Sequence, residues 1–251
     1  MSAAIPLLLP EWRAPAGVRA FTTTRVGGVS AAPFDSFNLA THVGDAPQAV
    51  AENRRRLRAL LPAEPLWLEQ VHGCAVADAA STAPAPVADA VIARAPGAVC
   101  AVMTADCLPV LLCDDEGSVV AAAHAGWRGL CEGVLEATVA RMAVPAAGLQ
   151  AWLGPAIGAR AFEVGDEVRA AFLVRDGAAA QAFSAGPVPG KWFADLYLLA
   201  RQRLAAAGVL RVSGGQWCTH ADPARFYSFR RDGACGRMAT LIWLAEQRRG
   251  R

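Results

Sequence analysis

No uninterrupted apolar stretch of this 251-residue chain reaches the roughly 20 residues that cross a bilayer. The early apolar patch, IPLLLPEW, is broken by Pro6 and Pro10 and has no basic segment ahead of it. No export signal is read there, and the chain is expected to be soluble and cytoplasmic, with no membrane partner. Cys-x-x-Cys pairs are also missing. The seven cysteines are odd in number, which argues against a secreted disulfide framework and for a reducing compartment. Charged residues make up only 18% and leave a net charge of +2. No basic stripe with interleaved aromatics appears, so nucleic acid is not expected as a partner. Histidine is scarcer still, with four residues: His42, His72, His124 and His220.

Apolar residues are plentiful at 54%, enough for a sizeable core in one domain spanning 1–251. Residues 44–62 read as a helix, with Asp45 near the N-cap and Pro47 in the first turn. LWLEQVHG (66–73) alternates like a strand that ends at a glycine. AVCAVMT, PVLLC and, after the turn DDEG (114–117), SVVAAAH read as buried strands, the last two adjacent. Helices are expected over 127–142, 164–174 and 194–208, the last closed by Gly208. LQAWLG (149–154), GGQWCTH, RFYSFRR and RMATLIWL read as strands, and the proline-rich STAPAPVADA (81–90) as a surface loop. The order implies a single-domain α/β sandwich with a mixed sheet flanked by helices.

His72 in QVHG, Cys107 in TADC and His124 in AAAHAGWRG each stand where an apolar run gives way to polar residues. Ligand sites collect at such places in α/β sheets. Two imidazoles and a thiolate are a three-ligand set for Zn²⁺ with an open fourth position for water or substrate. Against this, a lone cysteine is ordinarily a small hydrophobe and a lone histidine a hydrogen-bonded core group. On spacing alone both readings stand, because 72, 107 and 124 match no short zinc-finger signature.

FTTTRVGGVS, NLATHVGDAP, WLEQVHG, ADAVIA, MTADCLPVLL, AAAHAGWRG, LGPAIGARAFEVGDEV and CTHADPARFYSFRRDGACGR follow one another in order. Together they resemble the bacterial polyphenol oxidase (laccase-domain) family, also described as zinc-dependent purine nucleoside phosphorylases and as peptidoglycan editing factors. The resemblance implies that His72, Cys107 and His124 bind one zinc. It also implies phosphorolysis of adenosine, inosine, guanosine and methylthioadenosine, and deamination of adenosine, with purine nucleosides and phosphate as partners. Zinc with an open position suits attack by water at C6 of adenine, whereas phosphorolysis asks for an anion pocket. Copper is the second candidate metal, since a His₂Cys set also holds it. Four histidines cannot furnish a multicopper cluster, so copper-dependent polyphenol oxidase activity ranks second. Met103 is expected to be core filler, not an axial ligand.

For the substrate side, Arg128, in the first turn of the helix that HAGWRG runs into, and Arg25 ahead of two glycines are candidate anion contacts. Strand alternation over RFYSFRR sends Arg230 and Arg231 to opposite faces, with Arg230 the one assigned to the site. Asn38 can bond a purine edge or a ribose hydroxyl, or simply make an Asx turn. His42, in the same segment, is assigned to the substrate side. Asp106 is placed with the catalytic residues, in proton transfer or in orienting a ligand. Gln70, two residues before His72, can reach the same pocket; His220 is left out. A metal-free hydrolase acting on a peptidoglycan precursor, with Cys107 as nucleophile and His124 as base, is the mechanistic rival, although it leaves His72 unexplained.

Overall fold

Six strands are buried at every residue, and a strand buried on both faces needs a layer on each side. The computed structural model, which describes residues 5–80 and 85–246, provides those layers as stacked sheets with helices outside them. The first half of the chain holds β1 (Leu7–Leu8), β2 (Val18–Thr23), α1 (Pro47–Arg58), β3 (Val76–Asp78), β4 (Ala90–Ala93), β5 (Val99–Thr104), β6 (Leu108–Asp114) and β7 (Val120–Ala125). Next come α2 (Trp127–Glu132), α3 (Val134–Met142), β8 (Leu149–Leu153), β9 (Glu163–Gly165) and α4 (Asp166–Arg175). The chain continues with β10 (Phe183–Ala185), β11 (Lys191–Ala194), α5 (Leu196–Ala206), β12 (Arg211–Gly214), α6 (Phe229–Asp232) and β13 (Met238–Leu244).

A mixed six-stranded sheet runs β12-β8-β6-β7-β4-β3, and an antiparallel four-stranded sheet runs β1-β2-β13-β5. A small third sheet has the order β10-β11-β9. The period of two divides each strand between two cores. On β6, Leu111 and Cys113 join Cys100 and Val102 of β5 between the two large sheets. Leu108, Val110 and Leu112 face α2, α3 and α5 instead. On β5 the alternate residues Val99, Ala101 and Met103 pack outward with Leu57 of α1. The fold is therefore the mixed α/β architecture expected, with helices on the outer faces.

Several local expectations are corrected. Residues 66–73 are extended but make only isolated bridges, Leu66 to Cys100 and Glu69 to Val87, because Gln70 is committed to β5 and the chain kinks at His72. The helix expected over 127–142 is two helices, split at Gly133, whose φ of 112° only glycine adopts without strain. Of GGQWCTH, only Gly214 belongs to a strand. RFYSFRR forms no strand: the Ser228 side chain accepts from the Arg231 amide and caps the short helix α6. Asp45 does not cap α1 with its side chain; one carboxylate oxygen ties Ser30 and Asn38 together. Gly208 does sit just past α5 at φ +86°. Residues 81–84 of the expected proline-rich loop lie outside the described residues. Among the described residues, no helix is long and apolar enough to cross a membrane.

Candidate metal centre

Strand register assembles the centre. Pro109 of β6 faces His124 of β7, so Cys107, just ahead of β6, comes level with the end of β7. On the other side of β7, Ala90 of β4 faces Ala123, which sets the preceding residue, Asp89, beside His124. The His124 amide donates to the Asp89 carbonyl at 2.7 Å. His124 Nδ1 lies 2.8 Å from Asp89 Oδ1, leaving the other ring nitrogen for Cys107.

The Asp89 carboxylate, fully buried, also accepts the amides of Val71 at 3.2 Å, His72 at 2.9 Å and Gly73 at 2.7 Å. Those amides converge because His72 is left-handed, with φ 64°. That conformation costs a residue with a side chain free energy, and the three charge-assisted bonds offset it. The carbonyl and amide of Met103 on β5 grip the Gln70 side chain from both ends, each at 2.8 Å, and so anchor the same segment. Burial pushes the Asp89 carboxyl up, but the His124 hydrogen bond and the amides of Gly73 and His72 outweigh it and hold it below its ordinary value.

The donor atoms of His72, Cys107 and His124 lie within 4.8 Å of one another, with Cys107 Sγ 3.8 Å from His72 Nε2. Donors around a tetrahedral zinc stand roughly 3.5 Å apart, so small side-chain rotations close the set. A thiolate with two imidazoles, one of them oriented by a buried carboxylate, fits zinc or copper. Among the described residues no further histidine, cysteine or carboxylate joins this cluster. Burial raises the Cys107 thiol, yet the neighbouring His124 and His72 imidazoles outweigh it and bring it down. Burial lowers His124, and the Cys107 sulfur with Asp89 outweighs that and raises it.

A cavity of about 320 Å³ opens over the three donors. Met103, Ile157, Phe162 and Phe229 make its apolar walls, and His42, Arg230 and Arg237 its basic part. Burial, and then the charges of Arg237 and Arg54, lower the His42 imidazole. Gln70 and Asp106 also line the cavity, but both are spent on structure. Asp106, itself at φ 90°, accepts Thr219 Oγ1 at 2.6 Å on one oxygen, and Ser228 Oγ at 3.0 Å and the Arg230 amide at 2.7 Å on the other. Its carboxylate therefore anchors α6 instead of facing a proton to be moved.

Three expected substrate contacts lie outside the cavity. Arg25 bonds the Asp35 carbonyl and carboxylate and stacks over Tyr227. Arg128 stacks on Trp127 and borders a separate groove between α2 and α4. Asn38 is fully buried and bonds Ala40, Asp45 and the amide of Arg237. Arg230 does line the cavity, but the helical turn of α6 directs it, not strand alternation. Arg231 is bound to the carbonyls of Thr219, His220 and Phe226.

Sequence reasoning missed Asp89, Ile157, Phe162, Phe229 and Arg237. Asp89 and Arg237 each carried a signal, as a charged residue directly heading an apolar run, in ADAVIA and in RMATLIWL.

Residues 19–245 match the family described as multi-copper polyphenol oxidoreductase laccase. Purine nucleoside phosphorylase PA4543 of Pseudomonas aeruginosa is 57% identical over 241 residues, which cover 95% of this chain and 98% of that protein. Purine nucleoside phosphorylase YfiH of Escherichia coli is 55% identical with the same coverage. Among solved structures, Neisseria meningitidis protein NMB0706 aligns with a TM-score of 0.92 at 51% identity, covering 96% of this chain and 99% of that one. YlmD from Geobacillus stearothermophilus aligns with a TM-score of 0.83 at 29% identity, covering 96% of this chain and all of that one (100%). With the family model matched over residues 19–245 and the relatives and solved structures alike over nearly the whole length, the chain belongs to the multi-copper polyphenol oxidoreductase laccase family.

Proposed function

We propose that this protein is a zinc-dependent purine nucleoside phosphorylase acting on adenosine, inosine, guanosine and methylthioadenosine, with adenosine deaminase activity at the same centre. One observation carries the reading: two imidazoles and a thiol converge at one point of a cavity whose remaining walls are part apolar and part basic. The relatives named purine nucleoside phosphorylase give it direction. When bound, the metal supplies Lewis-acid polarisation of an oxygen or nitrogen brought to its open position.

The chain's own residues do the rest. Phe162 and Phe229 offer flat aromatic surface to a purine, and Ile157 adds aliphatic surface. Asp89 fixes the tautomer and orientation of His124, and the tether of Gln70 to β5 holds the His72 turn. The basic side chains favour a cosubstrate anion and the charge developing on the departing base.

Copper-dependent polyphenol oxidation is a side reaction on this reading, since the chain's four histidines cannot furnish a multicopper cluster. A metal-free hydrolase acting on a peptidoglycan precursor has one observation in its favour: Asp89, His124 and Cys107 stand in the order of orienting acid, base and nucleophile. It leaves His72 without a task.

The test is to purify the protein without added metal, measure bound zinc and copper, and supply adenosine with and without phosphate. Near-stoichiometric zinc is expected, with adenine and ribose 1-phosphate formed only when phosphate is present and inosine formed in either case. Cys107→Ala should lose most of the zinc. Full activity after complete chelation would instead establish the thiol mechanism.

A further inference from the structure

Two guanidinium groups in the cavity are held alike. Arg230 Nη1 donates to the Glu163 carbonyl at 2.8 Å, and its Cζ lies 5.4 Å from the centre of the Phe162 ring. Arg237 Nη1 donates to the carbonyls of Cys235 at 2.8 Å and Gly236 at 3.1 Å, and its Cζ lies 5.8 Å from the Phe229 ring centre. In each, the tether uses one terminal nitrogen and an aromatic wall supports the plane. Among the described residues, neither Nε nor Nη2 of either arginine has a hydrogen-bond acceptor, and neither side chain has a carboxylate within 4.0 Å.

That free edge is the one that binds two oxygens of an oxyanion side by side. The acidic residue lining the cavity, Asp106, spends both oxygens on Thr219, Ser228 and the Arg230 amide and makes no ion pair with either guanidinium group. Asn38 supplies the positioning: its Oδ1 accepts the Arg237 amide at 3.0 Å, and its Nδ2 bonds Asp45 at 2.9 Å. The 38–45 segment, which carries His42 to the cavity rim, is thereby locked to the start of β13.

We infer that Arg230 and Arg237 form a two-armed clamp for inorganic phosphate, the attacking cosubstrate, above the metal centre. The inference rests on the phosphorylase reading and assigns that reading's anion site to these two side chains.

Phosphate titrated calorimetrically into the protein as purified, in phosphate-free buffer, tests it together with the phosphate KM of nucleoside cleavage. Arg237→Gln and Arg230→Gln should each weaken phosphate binding and raise its KM about tenfold or more, the effect of losing charge-assisted bonds. Arg128→Gln, which removes the same charge outside the cavity, should leave both values at wild type. Arg237→Lys keeps the charge, and an intact fold if Arg237→Gln does not melt normally, and should still bind phosphate more weakly than wild type.

Wild-type phosphate affinity in the two glutamine variants overturns the clamp, and wild-type affinity in Arg237→Lys overturns its two-pronged geometry. Acetate binding as tightly as phosphate assigns the site to a carboxylate and overturns it too. Should phosphate bind as described while nucleosides stay intact, the clamp stands and the phosphorylase reading falls. Should nucleosides be cleaved with unaltered phosphate KM in the variants, the clamp falls and the reading stands.

Discussion

Asp89 has four N–H groups aimed at it, two on each oxygen: His72 and His124 on Oδ1, Val71 and Gly73 on Oδ2. Asp89→Asn keeps the shape but turns an NH₂ group toward one of those pairs, so two donors lose their acceptor. Metal affinity should fall between about tenfold and a hundredfold, and stability by about 1–3 kcal/mol. Competition with a chromophoric chelator and thermal melts would measure the two effects. An unchanged metal affinity would show that Asp89 does not hold His124 in place. At this scale the three candidate donors were legible as reactive side chains at the ends of apolar runs, and the family resemblance joined them into one set. Asp89 was not singled out: a carboxylate heading a strand has many uses, and only the pairing of β4 with β7 gives it this one.

The helix pair α2 and α3 shows what periodicity hides. Leu130, Val134, Leu135 and Val139 stay on one face across Gly133, so the pattern reads as one helix although the backbone breaks there. Two glycines in this stretch do different jobs. A Cβ at Gly129 would meet the Gly73 carbonyl oxygen at 2.8 Å and that of His72 at 3.3 Å, so α2 lies directly on the turn that carries His72. Gly129→Ala should cost about 1–3 kcal/mol and also weaken metal binding, by displacing His72. Gly133→Ala makes only ordinary contacts, with the Arg203 and Glu136 side chains at 3.5 Å, but is strained by φ 112°; it should destabilise by about 1–2 kcal/mol and leave metal affinity unchanged. Melts paired with metal titrations of both variants check this, and equal metal affinities would refute the contact argument. The strand misread over 225–231 has a related cause. An aromatic-rich run reads as an extended chain, but Ser228 and Asp106 supply side-chain bonds that favour a capped turn.

Across the whole molecule, the chain's two tyrosines report on global integrity. The Tyr197 hydroxyl shares its one proton between the carbonyls of Trp217 at 2.8 Å and Gly154 at 3.1 Å and accepts the Ala156 amide, while Tyr227 donates to the Phe34 carbonyl at 2.6 Å. Burial is the largest influence on both phenols and pushes them well above their ordinary value. A raised folded value means the neutral form is favoured by folding. The stabilisation is full below the unfolded value of about 10 and is lost as pH climbs from there toward the folded value. Tyrosinate absorbance should therefore stay absent as pH passes about 10, then appear from both residues in one step with loss of circular dichroism. Ionisation of either tyrosine in the still-folded protein near pH 10 would contradict the packing described.

By itself, the amino-acid order determined the burial of the central strands and the α/β class, and it made His72, Cys107 and His124 candidates, which the family resemblance joined into one set. Burial and class follow from properties a residue carries locally: apolar continuity and turn chemistry. Tertiary structure alone decided that Asp89 stands behind His124, that Arg237 joins Arg230 over the donors, and that Arg25 and Arg128 point elsewhere. Those outcomes depend on the strand order β6-β7-β4, on the crossing from β5 to β6 between two sheets, and on the bond from Asn38 to the start of β13. The pairing of β4 with β7 and the Asn38 bond join residues far apart in the chain, and the short crossing from β5 to β6 changes sheets, so no local period encodes which partner a strand edge or a free donor will meet.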